Sequence, residues 1–469
     1  MNALRRLPAE AWLLLWPLAV LAWRATLDVE VFSLSEDDFS RTLDGWRVAH
    51  GTLFPTDVWP PGAAWLVGLL LAFGAPLHAA PALVNLAAIT AAVVLASDAA
   101  RRLGAPAPAR LLAAAIVLGS RWPAWLGLSA LAEPPGALGF ALVVHGLIRR
   151  QTGDRGARTE VIAGAALAAL CRYEAWAVAV GAAVALAVDA AEASRLRRAA
   201  GAAAALAVPL AWTALEWAWN RDVSFLLHSR EMLSANPGSA RGVDYLSGLV
   251  FDLLQGCGPA LVLAALGAWA TREDRRLRPI LALWGGTAIA YLLAGALGFA
   301  GAHNPARVWL GHALVLPIFA APYLARWSRE RRIGAGIVAA AACLPFWAPV
   351  PGGYDTDTAR IAARTRGELA AAPGLRVMVE AVPWACVAVD GLIGAPELVS
   401  WDRIPDGTPL SPTHLSELGG DVDTVRAALR ARGIGFVVTG SLDHVRTLAE
   451  LADDLERDGR WTLWRVRRQ

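Results

Sequence analysis

Long apolar runs separated by clusters of arginine constrain this chain more than any other feature. Runs of helix length occur within the first 350 residues, at 9–27, 80–100, 108–121, 126–148, 160–190, 199–219, 256–271, 277–299, 306–325 and 332–349. A membrane-spanning helix needs about 20 predominantly apolar residues. The run 160–190 is too long for one ordinary span and contains Arg172 and Glu174, so we divide it into two short helices. The pattern predicts an α-helical polytopic membrane protein with about eleven transmembrane helices.

Composition agrees with this fold class. Hydrophobic residues make up 56% of the chain and the mean hydropathy is +0.44, whereas soluble domains are roughly 45–50% apolar. The net charge of +3 gives no reason to expect nucleic-acid binding. The cysteines are widely spaced and predict neither a disulfide framework nor a metal site: Cys171, Cys257, Cys343 and Cys386.

The N-terminal segment resembles a signal peptide, because Arg5 and Arg6 precede an apolar stretch. However, Trp23 and Arg24 follow that stretch without a small-residue cleavage site. We therefore predict an uncleaved first membrane helix.

Arginine in short loops marks the cytoplasmic side of a membrane protein. This rule assigns to the cytoplasm Arg5/Arg6, Arg101/Arg102, 149–158, 194–198, 271–278 and 326–332. The segment 61–74 is also apolar, but a crossing of its own would move Arg101 and Arg102 outside. We interpret 61–74 as an interfacial or re-entrant helix.

After residue 350, short apolar strings alternate with polar helices. The string "VRAALRAR" has a helical pattern and is followed by "GFVV", which is typical of a strand in an α/β domain. We predict a transmembrane domain over 1–350 and a small α/β domain over 351–469. An odd number of crossings places the second domain outside the cytoplasm. The protein as a whole is predicted to be integral to the cytoplasmic membrane.

Under this topology, unusual polar residues gather at the outer face. Charge within a membrane is costly, about 2.5–3.5 kcal/mol per residue at a helix centre on insertion scales, so such residues face a cavity or a partner. The unusual polar residues of the outer loops and helix ends are Glu36, Asp37, Asp38, Glu133, Arg172, Glu174, Arg221, His228, Arg230, His303 and Arg307. Their convergence predicts a polar site at the outer membrane surface.

Each member also has a simpler structural interpretation. The stretch "DDFSRTLDGWRVAHG" can form an amphipathic surface helix with Phe39, Leu43 and Trp46 on its apolar face. Arg172 and Glu174 can form a structural ion pair, and Glu133 can cap a helix. The histidines in apolar helices, His145 and His312, are more typical of packed or hydrogen-bonded side chains than of catalytic ones.

The order of these features resembles a known family. An acid pair follows the first helix, "PP" begins an apolar helix, and "EP" and "RYE" turns precede a late outer loop with an arginine. This order resembles the GT-C superfamily of integral membrane glycosyltransferases, and within it the protein O-mannosyltransferases and aminoarabinose transferases. Aminoarabinose transferases carry a lysine just before the proline that begins this helix. This chain has Trp59 there, before Pro60 and Pro61.

The resemblance implies a polyprenyl-phosphate sugar donor and a reaction at the outer face, with residues 28–60 as the first catalytic loop. Asp37 matches the first acid of the family's pair, which acts as general base or orients the acceptor, and Asp38 matches the second. Arg172 and Arg307 resemble positions where basic residues approach the donor phosphate.

We therefore predict an inverting transfer of a sugar to a hydroxyl of a glycan, lipid or protein acceptor. Asp37 acts as the base and Arg172 binds the departing phosphate, together with Arg307. Asp38, Glu133 and Glu174 either orient these groups or bind a divalent cation with Asp37, and His303 supports the site.

Two other functions remain open on the sequence. A transporter or a flippase for lipid-linked glycans would line its path with the same charges, and usually has two similar halves with interrupted helices. We find one interrupted pair, around Arg172, and no internal repeat, which favours the enzyme. A non-catalytic scaffold would leave the outer charges unexplained.

Overall fold

The computed structural model describes most of the chain. The described residues are 9–26, 37–55, 59–189, 192–220, 242–296, 305–343, 355–380, 387–392, 399–401, 403–404, 415–416, 418, 421–440, 442–458 and 461–467. The helices of the apolar part are α1 Leu15–Arg24, α2 Asp37–Ala49, α3 Gly62–Ala72, α4 Ala80–Arg102, α5 Ala107–Leu118, α6 Arg121–Leu128, α7 Glu133–Gln151, α8 Arg158–Cys171, α9 Trp176–Ala187, α10 Arg195–Asn220, α11 Gly242–Ala270, α12 Arg278–Ala296, α13 Leu310–Leu314, α14 Pro317–Leu324 and α15 Arg329–Cys343.

Several of these helices are long and apolar enough to cross a membrane. Among the described residues, three unbroken helices meet that standard: Ala80–Arg102, Arg195–Ala218 and Arg278–Ala296. Three bent pairs meet it jointly: Ala107–Leu118 with Arg121–Leu128, Tyr245–Leu254 with Gly256–Ala270, and Arg307–Leu314 with Pro317–Leu324. The predicted α-helical polytopic architecture is confirmed, while the count of about eleven crossings stays a prediction.

Prolines explain two of the bends. Pro259 lies inside α11, where it removes a helical N–H and clashes with the preceding turn, and Cys257 there has non-helical φ and ψ. The two halves of α11 meet at 83°. Pro317 begins α14, and the residue before a proline is biased away from helix, which is consistent with the 41° bend from α13.

The packing of α7 on α8 determines which polar residues meet. A Cβ on Gly139 would lie 2.4 Å from the backbone nitrogen of Ala168, and one on Gly164 would lie 2.6 Å from the carbonyl oxygen of Gly139. The two backbones are therefore in direct contact, which only glycine permits at these positions. This contact brings the first residue of α7, Glu133, near the end of α8.

The predicted division of the run 160–190 is confirmed. The helix α8 ends at Cys171, and Arg172 has extended backbone angles (φ −152°, ψ 141°) before α9 begins at Trp176. The break places the side chains of Arg172 and Glu174 in a turn between two short helices.

The segment 61–74 forms the short helix α3, whose 11 residues span about 16 Å at the usual rise of 1.5 Å per residue. That length is well below the roughly 30 Å of a bilayer core. The short length fits the predicted interfacial or re-entrant helix. That the segment does not cross the membrane stays a prediction. Glycines bring α3 against α2, because a Cβ on Gly68 would lie 2.9 Å from the carbonyl oxygen of Gly45.

A mixed β-sheet forms the core of the C-terminal part. Its elements are α16 Asp355–Ala371, β1 Arg376–Val379, β2 Val399–Trp401, β3 Arg403–Ile404, β4 Leu415–Ser416, α17 Val422–Ala431, β5 Ile434–Thr439, α18 Leu442–Leu451, β6 Ala452–Asp458 and β7 Trp461–Val466. The strand order is β2-β1-β5-β7-β6. Parallel pairs join β1 to β2 and β5, and antiparallel pairs join β7 to β5 and β6. The predicted helix and strand around 422–439 are confirmed.

The apolar face of α2 packs on this sheet. Phe39 and Leu43 are each 1% exposed and belong to one buried cluster with Val377, Phe436 and Leu463. The amphipathic helix expected from the sequence therefore exists, but its apolar side is covered by protein. The C-terminal α/β part thus holds the helix that carries Asp37.

A second polar network lies at the other end of α7. His145 contacts Glu160 through Nδ1 and Asp98 through Nε2, the latter at 2.9 Å, and Arg149 donates to Glu160 at 2.8 Å. His145 follows Glu133 by 12 residues in α7, which separates them by about 18 Å along the helix at the usual rise of 1.5 Å per residue. His145 is hydrogen-bonded, as the sequence suggested, and His312 pairs with Thr287 at 2.9 Å.

Candidate active site

Asp37 and Arg307 meet at one end of the helices. Asp37 is the first residue of α2, and its Oδ2 lies 3.3 Å from Nη2 of Arg307. The Asp37 side chain is 38% exposed, whereas that of Arg307 is 14% exposed. The Nε of Arg307 also lies 3.1 Å from Oε1 of Glu133. Asp37 therefore presents a carboxylate to solvent beside a fixed positive charge.

Arg172 lies between two carboxylates. Its Nη1 donates to Oε1 of Glu133 at 2.7 Å, and its Nη2 donates to Oε1 of Glu174 at 2.6 Å. Burial lowers the pKa of Arg172, but the two carboxylates outweigh burial and raise it. Burial likewise raises the pKa of Glu174, and the charge of Arg172 outweighs it, so the net shift is downward. Arg172 and Glu174 thus stabilise the charged form of one another.

Asp38 has a different environment from Asp37. It is 3% exposed, and its Oδ1 accepts a hydrogen bond from the backbone nitrogen of Ala130 at 2.5 Å. The loop around Ala130 is itself held by Asn85 of α4, which donates to the carbonyls of Ser129 and Leu131 at 2.7 and 2.9 Å. Asp38 thus attaches α2 to the loop that precedes Glu133.

Arg41 is a buried charge near the cluster that the sequence analysis did not single out. It is 8% exposed, and its guanidinium lies 4.0 Å from the centre of the Trp59 ring. A signal was available, because residues four apart lie on one face of a helix and Arg41 follows Asp37 by four.

Glu216 was also missed, although it is the acid within the apolar run 199–219. It is 3% exposed and contacts the hydroxyl of Tyr173. Trp212 donates to both groups at 2.8 Å. Because Tyr173 lies between Arg172 and Glu174, this pair adjoins the ionic cluster.

A small cavity of about 30 Å³ lies beside the cluster. Its lining includes Glu133, Arg172, Glu174, Tyr291 and His312. Within the described part of the chain, Oε2 of Glu133 has no hydrogen-bond partner. The volume suffices for one water molecule, which needs a polar partner of this kind.

The structure thus brings together Asp37, Glu133, Arg172, Glu174 and Arg307. Asp38 instead contacts the loop at Ala130. Other predicted members lie outside the described residues: Glu36, Arg221, His228, Arg230 and His303.

A divalent cation does not fit the residues that are described. Among them, no group of three or more His, Cys, Asp or Glu side chains is placed to hold a metal ion. Asp37, Glu133 and Glu174 each contact a guanidinium instead. A cation would have to displace these arginines, so we derive no step through a metal.

The fold defines a polytopic helical membrane protein with a small C-terminal sheet, as the sequence predicts. Solved structures confirm this fold. The chain is similar to ArnT from Cupriavidus metallidurans bound to undecaprenyl phosphate, with a TM-score of 0.70 and 17% identity over 97% of this chain and 98% of ArnT. The apo structure of the same ArnT gives the same values.

A second similar structure is the arabinofuranosyltransferase AftD from Mycobacteria. Its TM-score is 0.51 at 14% identity, and the match covers 98% of this chain and 40% of AftD. No protein-family model matches the chain, and no curated protein matches it by sequence.

Proposed function

We propose that this protein is a membrane glycosyltransferase that moves a sugar from a polyprenyl-phosphate donor to an acceptor hydroxyl. The observation that carries the proposal is the pairing of a half-exposed carboxylate, Asp37, with Arg307 at 3.3 Å. This pair lies in a fold similar to that of ArnT, which is an aminoarabinose transferase with a structure bound to undecaprenyl phosphate.

In the proposed reaction, Asp37 takes the proton of the acceptor hydroxyl. The acceptor oxygen then bonds to the anomeric carbon of the sugar. The bond from that carbon to the phosphate oxygen breaks, and its electron pair leaves with the polyprenyl phosphate. A single displacement of this kind inverts the anomeric centre. Phosphate is a good leaving group, so a base and fixed positive charge are sufficient.

Arg307 and Arg172 supply the positive charge in this proposal. A guanidinium binds two phosphate oxygens at once and cannot lose its proton in a protein. Glu133 and Glu174 orient the two arginines through the contacts of 2.6–3.1 Å described above. Asp38 positions α2 through Ala130, and His303 is retained as a supporting residue.

The reaction is proposed to occur at the outer face of the cytoplasmic membrane, within the transmembrane domain 1–350 and its loop 28–60. The domain 351–469 is proposed to lie on the same side, because its sheet covers the back of α2. The acceptor is a glycan, a lipid or a protein, and membrane lipids surround the helices.

The test is the substitution Asp37→Asn, which keeps the shape of the side chain and removes the base. Extracted membrane lipids are followed by mass spectrometry for conversion of glycosylated to free polyprenyl phosphate. We expect conversion to slow by about 10²–10⁴-fold, the usual contribution of a general base.

The control is Asp423→Asn, since that side chain is 87% exposed in the C-terminal part. It should convert the donor at the wild-type rate. Full conversion by Asp37→Asn would remove Asp37 from the role of base, and no conversion by the wild type would count against the transferase itself.

A further inference from the structure

A second cavity, of about 680 Å³, lies among α11, α14 and α15. Volumes of about 300–1,000 Å³ are typical of sites that hold a small ligand. This cavity is remote from the ionic cluster. Tyr323 in its lining follows Arg307 by 16 residues in the bent helical pair that ends at Leu324, which is about 24 Å along the helices. The cavity therefore lies at the end of the protein that carries the arginine-rich segment 326–332.

One face of α15 forms a wall of this cavity. Arg331, Gly334, Ala335 and Val338 line it, and their spacing of three and four residues places them on the same side of the helix. Arg331 and Val338 are separated by about 10 Å along the helix axis. A Cβ on Gly334 would meet nothing within 4 Å, so the cavity is open at this position. The wall thus has a cation at one end and apolar side chains beyond it.

The facing walls are apolar and open to the outside of the helices. Val262 and Leu263 of α11 line the cavity opposite α15. Val262 and Val338 are 55% and 68% exposed, so the cavity is a cleft that faces the surrounding membrane. Tyr323 and Trp327 form its rim, with ring centres 5.5 Å apart. Tyrosine and tryptophan are enriched where the hydrocarbon meets the polar head groups.

Positive charge is concentrated at the rim. The segment 326–332 contains four arginines and one glutamate. Arg326 donates to the carbonyl of Ala270 at 3.1 Å, which joins this segment to the end of α11. Arg331 is exposed and forms no ion pair with an acid of the described residues. Basic pockets between membrane helices bind the head groups of anionic lipids, and a guanidinium can bind two phosphate oxygens.

We propose that this cleft binds one anionic phospholipid, with the phosphate on Arg331 and an acyl chain between Val262 and Val338. The polar rim and the apolar interior match the two parts of such a lipid, and the sign of the rim charge complements its head group. An arginine that served only to orient the chain in the membrane would not need to line a cleft. The site is separate from the ionic cluster and does not depend on the proposed function.

The test compares phosphatidylglycerol, which is anionic, with phosphatidylcholine of the same acyl chains, which is zwitterionic. Each lipid is titrated into the full-length protein purified in a neutral detergent, and bound lipid is measured by native mass spectrometry. The ratio of the two dissociation constants gives the preference for the anionic head group. We expect the wild type to bind one phosphatidylglycerol more tightly than it binds phosphatidylcholine.

Arg331→Gln should reduce this preference about tenfold, which corresponds to the loss of a hydrogen bond to a charged group. The matched control is Arg329→Gln, which removes the same charge from the same segment but does not line the cleft. It should keep the wild-type preference. If the preference of Arg331→Gln were within twofold of that of the wild type, the phosphate would not bind at Arg331 and the proposal would be overturned.

Gly334→Leu should fill the cleft and weaken the binding of both lipids. Lost contact with two methylene groups alone corresponds to about tenfold. Gly285→Leu in α12 is the control, because its Cβ also meets nothing within 4 Å, and both affinities should be retained. Wild-type affinities in Gly334→Leu would overturn the cleft as the site. The proposal would equally be overturned if Gly334→Leu released a copurified polypeptide or polyprenyl phosphate instead of phospholipid.

Discussion

At the scale of single residues, the site is a balance of opposite charges, most of which are largely buried. Arg41, Arg172 and Arg307 lie among Asp37, Glu133 and Glu174, and each contact between them replaces hydration that the membrane and the protein interior exclude. Buried ion pairs contribute little net stability, but removing one partner is costly because the other charge is left uncompensated. The cluster is therefore sensitive to the loss of any one charge.

Arg172→Ala should lower the free energy of unfolding by about 3–5 kcal/mol, because Glu133 and Glu174 lose their shared partner. Arg197→Ala is the control, since that side chain is 73% exposed and lies 4.0 Å from Glu192. An exposed pair contributes about 0–1 kcal/mol. Both values can be measured from denaturant midpoints in detergent micelles. Equal effects of the two substitutions would contradict the account of the cluster.

At the scale of elements, glycine contacts set the geometry of the site. The contact of α7 with α8 at Gly139 and Gly164 brings Glu133 to Arg172. The contact of α2 with α3 involves Gly45 and Gly68, and it fixes the helix that begins with Asp37. Since these contacts involve backbone atoms, the neighbouring residues cannot move aside as a flexible side chain would.

Gly68→Ala should separate α2 from α3, because the new Cβ would lie 2.5 Å from Val48 and 2.9 Å from the carbonyl of Gly45. Overpacking of this kind costs about 1–3 kcal/mol, and the displacement of Asp37 should slow donor conversion. Gly285→Ala in α12 is the matched control, because its Cβ would meet nothing within 4 Å. Wild-type activity and melting temperature in Gly68→Ala would show that the close approach of the two helices is not required.

At the scale of the whole molecule, apolar helices separate two polar ends. The ionic cluster occupies one end of α7, and the network around His145 occupies the other. The arginines assigned to the cytoplasm, such as Arg101, Arg102 and Arg149, lie in that second network. The outward orientation of the first end stays a prediction from the arginine rule.

The polytopic architecture, the break at Arg172 and the C-terminal α/β pattern could all be predicted, because they follow from local hydrophobic periodicity and from single disruptive charges. The sequence predicted that Glu133, Arg172 and Arg307 gather at one face of the protein. It did not predict which of them pair, because the pairing depends on the packing of α7 against α8. Arg41 was missed although its spacing of four from Asp37 was visible, because its contact with Trp59 joins positions 18 apart in sequence. The cover of α2 by the sheet is likewise a long-range contact that no local pattern encodes.

The central claim is that this protein binds a polyprenyl-phosphate donor, and native mass spectrometry of the detergent-purified wild type tests it most directly. We predict that polyprenyl phosphate or its glycosylated form copurifies with the wild type and is depleted in Arg307→Gln, which loses the charge beside Asp37 and Glu133. If both proteins carried only bulk phospholipid, the donor assignment would be contradicted and a transporter would become the better explanation of the charge cluster.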